Sequence, residues 1–554
     1  MRRRSSYLAV LSLLACPPLI ALVTISCSGD DSTGENPDAS TPADGSTPPT
    51  DGTTPDAPSN KDTGSQSDAP VSTDAPVADA PGPDEGPPDA ADSGAGCAPV
   101  TATPVQISGS ITTDTTWTCD KLYQVNGIVQ VIAPSDGGPP PVLTIQPGTT
   151  VLMSNDPNNN GNLLIAPGAR LEAVGNAIQP IVFTSSALNS GAVPAIGDWG
   201  CVALTGLAPG NWGAGGPDGG AQMSGSPDDA NNFPSNFPFP YTAGSDDPSH
   251  NTDSSGTLKY VRMEYGGAVK VNLEVGVDGS SATESDHEML GMYGVGSGTL
   301  LDYVDMRQSK FGCLFAQGGQ FRARHVICQY GGESGGFDFT RGNQSQVQFV
   351  VVQENPNKSS EGIGYKGPSA AEQLPPLTSP TVYNVTTCGT FGGSDGKDPY
   401  AFFMIRSPAG VLANFIGTGY YGGLQMDKGG IVATTQMVSS ILFGNFDPVT
   451  PDAGTNIYDP GTAAADTDLV TWFTTLADGG TSTNAQTDPG ISQCANANAF
   501  KMAPATALTA NAATPPAGAD GGADFFDTSA TYIGAFKDVN DAWATGAWVV
   551  WSDH

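Results

Sequence analysis

Asp302, Asp305 and Arg307 fall within one short stretch, and Arg322, Arg324, Asp338 and Arg341 follow soon after. Carboxylates beside guanidinium groups are what cleavage of a glycosidic bond draws on, through paired acids or through an acid-held cation with a basic residue. Outward charges are also ordinary on any repetitive β-protein, so a solvated face is the expectation and no catalytic residue is assigned. A second oxygen-rich set starts at Asp156. Asp156, Asn158 and Asn160 hold the first, third and fifth positions, with Gly161 sixth and Leu163 eighth, like the opening of a calcium loop. Pro167 takes the twelfth position, where a bidentate glutamate belongs, so a turn joining two strands is the plainer reading. Calcium is the ion such a turn could take, and no other cofactor is implied. Asp246, Asp247 and Asp253 form another oxygen cluster that reads as a solvated loop.

The histidines, His250, His287, His325 and His554, show neither HxH nor HExxH spacing, so a zinc site would have to assemble from scattered loops. Aromatic residues are more suggestive. Trp199, Trp212, Phe233, Phe237, Phe239 and Tyr241 lie in or beside a Gly/Pro/Asn-rich insertion at about 207–256. An insertion that long with few strand signals is functional or disordered, and exposed rings stack on sugars. Trp199, Trp212, Phe237 and Tyr241 are therefore the ligand-contact candidates.

The elements that must position these residues are strands. Gly 71 and Pro 46 in 554 residues, with 14% charged residues, describe a turn-rich, helix-poor chain. From Cys97 onward, short β-branched and aromatic runs alternate in polarity between Gly, Asn and Pro. Some of these runs repeat. The run IQPGTTV at Ile145 returns as IAPGARL at Ile165, twenty residues on, and YVRMEYGG at Tyr260 aligns with HVICQYGG at His325. A marker residue recurs at Val304, Val326, Val350 and Val385, and less clearly at Phe415 and Ile441, the first four steps being 22, 24, 35 and 30. Such steps fit the coils of a β-solenoid and are too short for propeller blades. Alternation at Tyr303–Met306 puts Val304 and Met306 inward and Asp305 outward.

The N-terminus carries an address. Arg2, Arg3 and Arg4 precede the apolar run YLAVLSLLACPPLIALVTIS, which reads as an export signal rather than a spanning anchor because Pro17 and Pro18 interrupt it. TISCSG resembles the lipobox of bacterial lipoproteins, which implies cleavage before Cys27 and lipidation there. Thr24 stands where that motif usually has Leu, and LLAC at Cys16 is the competing site. Ser28 follows the cysteine, where an acidic residue would favour inner-membrane retention, so an outer-membrane or cell-surface location is expected. Residues 27–96 are an Asp/Pro/Thr/Ser-rich tether with no aromatic residue, unable to offset its ordering entropy. Its reach lies between roughly 45 Å as a coil and on the order of 200 Å if polyproline-like.

The formal charge of −35 leaves roughly −24 on the body from Cys97 onward. A field of that sign excludes nucleic acid as a partner, because it repels phosphate. Beyond Cys16 and Cys27 seven cysteines remain, enough for up to three disulfides with one thiol left over. Cys97 with Cys119 is the favoured pair, pinning the tether to the first coil. Cys328 reads as a buried apolar residue.

The runs LTIQPGTTVLM, LLIAPGARLEAVG, GDWGCVALTG, SSGTLKYVRMEYGG and GSGTLLDYVDM resemble a family of uncharacterised bacterial secreted proteins and lipoproteins. The similarity covers roughly Gln124 to Glu354, and the C-terminal FFDTSATYIGAFKDVNDAWATGAWVVW is also similar. It implies a right-handed parallel β-helix. Cys201 departs from the pattern, and ESGGFDFTRG at Glu333–Gly342 lacks the richer acidic run of that family. The expected layout is a signal at 1–26, a tether at 27–96, a β-helix body at 97–454 and a C-terminal β cap at 455–554. The expected role is non-enzymatic binding or adhesion at the surface, to polysaccharide or to a surface protein. A polysaccharide lyase or hydrolase and a passive structural protein are the alternatives.

Overall fold

Short strands cannot each bury an inward face alone, but stacked coils can bury one continuous core. The computed structural model describes residues 96–211, 221–222, 242–245, 247–269, 285–286, 288–332, 335–355, 361–367, 375–390, 400–405, 408–427, 435–445, 457, 466–475, 482–491, 502–517 and 525–551. The chain divides into units 1–82 and 83–554, and every described residue lies in the second.

That unit is a parallel β-helix of three sheets. The coil from Leu300 to Gln317 shows the plan. The bent strand Leu300–Arg307 gives its first limb to the first sheet and its second limb to the second, and Gly312–Gln317 lies in the third. Inward rows follow the register. Leu258, Leu301, Ala323, Val347, Val382 and Leu412 stack in the first sheet, and Val261, Val304, Val326, Val350, Val385 and Phe415 in the second. Leu290, Leu314, Phe337, Ile363, Phe402 and Leu424 stack in the third. None of these is more than 2% exposed, and they belong to one apolar cluster.

The marker residues from Val304 to Phe415 thus occupy one column, whereas Ile441 pairs with Ile416, one place further on. The twenty-residue repeat has a different meaning from the one expected. Ile145 stacks on Ala173 in the first sheet, while Ile165 belongs to the third. Its two Pro-Gly turns, with Gly148 at φ 79° and Gly168 at φ 85°, are therefore different corners of the helix and not successive coils.

One residue makes the corner between first and second sheets. Tyr260, Tyr303, His325, Phe349, Asn384 and Asn414 all take left-handed backbone, with φ between 50° and 59°. Asparagine tolerates that region, but a bulky ring there is strained. Stacking offsets the cost: ring centroids are 4.5 Å apart for Tyr260–Tyr303, 4.2 Å for Tyr303–His325 and 4.9 Å for His325–Phe349.

Among the described residues from 457 on, strand pairing is limited to isolated bridges. Helix α1 (Asp466–Thr474) places Leu469 and Phe473 in the main core with Met437 and Leu442, covering its end. Residues 502–517 and 525–551 then form a strap along the ring-bearing corner. Side chains of the helix bind its backbone: Asn414 Nδ2 donates to Ala513 O at 2.8 Å, Asn384 Nδ2 to Tyr532 O at 2.7 Å and Arg262 to Ala547 O at 2.7 Å. Trp543 lies 5.2 Å from His325 and Trp548 5.4 Å from Tyr303.

Cys97–Cys119 forms as expected. Cys328 is buried but is bonded to Cys313 rather than being a lone apolar residue. Cys388 is also disulfide-bonded, and Cys201 is the free cysteine among the described residues.

Candidate functional site

The lengths of the connections single out one face. Between the first and second sheets the middle coils spend a single residue, whereas both edges of the third sheet carry long connections. Chain 186–201, 265–289, 355–362 and 389–399 enters it, and 206–255 and 367–380 leave it. Insertions of that kind, on a rigid scaffold, are where binding and chemistry are built.

On the outer side of this sheet the register sets two rows. Gly291, Phe315, Asp338, Gly364, Phe403 and Gln425 make one, and Tyr293, Gln317, Thr340 and Lys366 the other. Asp338 and Lys366 are thereby diagonal neighbours. The Lys366 ammonium sits 2.8 Å from Asp338 Oδ2 and 2.8 Å from Glu361 Oε2, and 5.3 Å from the Phe403 ring centroid. Gly364 leaves the room this needs, because a Cβ there would collide with Asp338 Oδ1. Glu361 precedes its strand by two residues, as Glu288 precedes Leu290–Tyr293.

Burial separates the protonation of these groups. Desolvation, then the charge of Asp338, pushes the Glu288 carboxyl up to about 8, against the pull of Lys366. Desolvation also raises Glu361, with Lys366 opposing and Asp338 adding to the rise. For Lys366 burial works downward, but Asp338 and Glu361 overcome it and raise the ammonium's pKa. Asp338 is 3% and Glu288 2% exposed, while the Lys366 and Glu361 side chains are 22% and 25% exposed and Phe403 is half-buried. The face therefore offers solvent a fixed charge pair beside a ring. Beyond its exit edge lies a cleft of about 670 Å³ lined by Pro209, Gln344, Pro375, Leu377, Ser379 and Ala409 among others. Thr378 Oγ1 ties that edge to the site by donating to Lys366 O at 2.8 Å.

A profile described as a pectate-lyase like beta helix domain matches residues 109–487. The chain belongs to that family. No curated protein and no solved structure matches it.

The charged set singled out in the sequence of this pectate-lyase-like β-helix is not the solvated face expected. Asp302, Asp305 and Arg307 are 1%, 0% and 5% exposed, and Arg341 is 7% exposed, whereas Arg322 is exposed. Asp302 accepts from His325 at 2.9 Å and pairs with Lys259 at 3.3 Å and Arg324 at 3.4 Å. Burial acts to raise its pKa, but the bond and charge of His325, with Arg324 and Lys259, lower it. Asp305 points outward as alternation required, yet lies beneath the strap. It accepts from Gln329 at 2.8 Å and from Val550 N at 3.2 Å, and burial, opposed by Arg307, pushes it up to about 6. Glu264 bridges Arg262 at 2.8 Å and Arg307 at 3.7 Å. These networks bind the corner and the strap together.

Trp199 is 0% exposed and donates from Nε1 to Glu264 O at 2.6 Å, so its ring packs in the core and presents no surface to a ligand. Trp212, Phe237 and Tyr241, like Cys27, lie outside the described residues. In the oxygen-rich turn, Asp156 Oδ1 accepts from Asn158 N at 2.9 Å, while Asn160 is buried and donates to Ala268 O. Desolvation, then Glu288, pushes the buried Cys201 thiol up to about 12, which keeps it protonated at neutral pH. Sequence reasoning missed Lys366, Glu361, Glu288 and Phe403. Alternation in IGYK does place Tyr365 inward and Lys366 outward, but the pairing across 28 residues with Asp338 leaves no local signature.

Proposed function

We propose that this β-helix is an exported, lipid-anchored protein that binds polysaccharide at the bacterial surface along the outer face of its third sheet. The observation that carries the reading is the Asp338–Lys366–Glu361 triad set beside the half-buried ring of Phe403. A sugar ring has an apolar face of C–H groups and an equator of hydroxyls. An aromatic ring matches the first, and carboxylate acceptors with an ammonium donor match the second. The triad holds its own side chains in place before any ligand arrives, which lowers the ordering cost of binding. Lipidation at Cys27, with residues 27–96 as spacer, supplies the surface location. The test is a glycan array on the mature chain, with and without calcium. Retention without cleavage, weakened about tenfold by Phe403→Ala, supports the reading; equal retention of the variant counts against this face.

One observation favours hydrolysis as the second reading. Glu288, held protonated at neutral pH, lies within electrostatic reach of Asp338, and an acid beside a carboxylate is what glycoside hydrolysis uses. If products appear from a retained glycan and Glu288→Gln stops their release without weakening retention, the protein is an enzyme. If no retained glycan is cut, it is a binder.

A further inference from the structure

We infer that the glycan taken by the third-sheet face carries free amino groups and is not a polymer of uronic acids. The inference rests on reading that face as a glycan site and adds the charge of its ligand. Positive charge here is already committed: the Lys366 ammonium is shared at 2.8 Å by Asp338 and Glu361. The electrostatics of Glu288, Glu361 and Lys366 all involve Asp338. An incoming carboxylate would thus meet the Asp338 and Glu361 carboxyls sharing one ammonium, inside a chain of formal charge −35.

An incoming ammonium meets the opposite situation. Glu361 is the more exposed of the acids, at 25%, and can accept from a ligand N–H without leaving Lys366. A second feature points to a ligand independently of the acids. Gln317 shares the row of Thr340 and Lys366, is 6% exposed, and its Nε2 has no hydrogen-bond partner. Its neighbour Ala316 is in the core, so Gln317 projects to the outer face, where a buried donor requires an acceptor. A sugar hydroxyl or ring oxygen is such an acceptor. The two features together describe a hexosamine: an amine for Glu361 and an oxygen for Gln317.

The experiment is calorimetric titration of the full mature chain with three tetrasaccharides: glucosamine, N-acetylglucosamine and galacturonate. The expected result is binding of the glucosamine tetramer about tenfold tighter than its acetylated form, with galacturonate weakest. Acetylation changes the ligand alone, so the comparison does not depend on how any variant folds. Glu361→Gln should abolish the amine preference, and Asp120→Asn, which removes an exposed acid outside the site, should leave it intact. Galacturonate binding as tightly as glucosamine overturns the inference, as does a preference that survives Glu361→Gln. Glycan binding that is lost in Phe403→Ala but indifferent to amines overturns this inference alone. Failure of every glycan to bind overturns the site reading with it.

Discussion

Glu288 and Asp305 show how far burial moves a carboxyl when its neighbours cannot compensate. An unfolded glutamate loses its proton near 4.3, and the folded Glu288 keeps it up to about 8. Between those values the folded state binds more protons than the unfolded one, so stability falls as pH rises. Asp305 has the same sign but is complete by about 6. The interval from pH 6 to 8 therefore carries the Glu288 titration: the urea midpoint of the wild type should fall across it, and that of Glu288→Gln should fall less steeply. Gly364→Ala is a second probe at this scale. Its methyl group would displace the Asp338 carboxylate from Lys366, so glycan retention should drop while thermal unfolding shifts little. Neither effect was legible in the sequence, because residues 50 apart, Glu288 and Asp338, interact through coil stacking, which no local pattern records.

At the scale of elements, legibility depended on what each residue touches. The inward column from Val304 to Phe415 was readable because core packing demands an apolar residue at every coil. The corner residue immediately before it was not, because Tyr, His, Phe and Asn all serve the same left-handed turn. Ile145 and Ile165 misled for a related reason: different corners use the same Pro-Gly chemistry. The strap carried no strand or helix period at all, since it is held by side chains of the helix reaching its backbone and by two tryptophans. Trp548, 1% exposed, packs against Tyr260 and Tyr303. Trp548→Ala should cost about 3 to 5 kcal/mol, seen as a lowered unfolding midpoint and as faster proteolysis within the strap. A midpoint unchanged within error would mean the strap adds nothing to stability.

For the whole molecule, the repeat spacing pointed to a parallel β-helix, which the stacked coils and the family match over 109–487 bear out, while the export signal and tether are proposals. The function reading adds an anchor that can be checked separately. Cys27→Ser should move the protein from the detergent phase to the aqueous phase on detergent partitioning, and continued membrane retention would place the lipid elsewhere. The central claim is that the third sheet's outer face is where glycan binds, and amide hydrogen exchange tests it most directly. With a saturating oligosaccharide, slowed exchange should concentrate in Ile363–Lys366 and Tyr400–Ile405, the strands that bear Lys366 and Phe403. Protection confined to the strap and the ring-bearing corner would contradict the account and move the site to the opposite side of the helix.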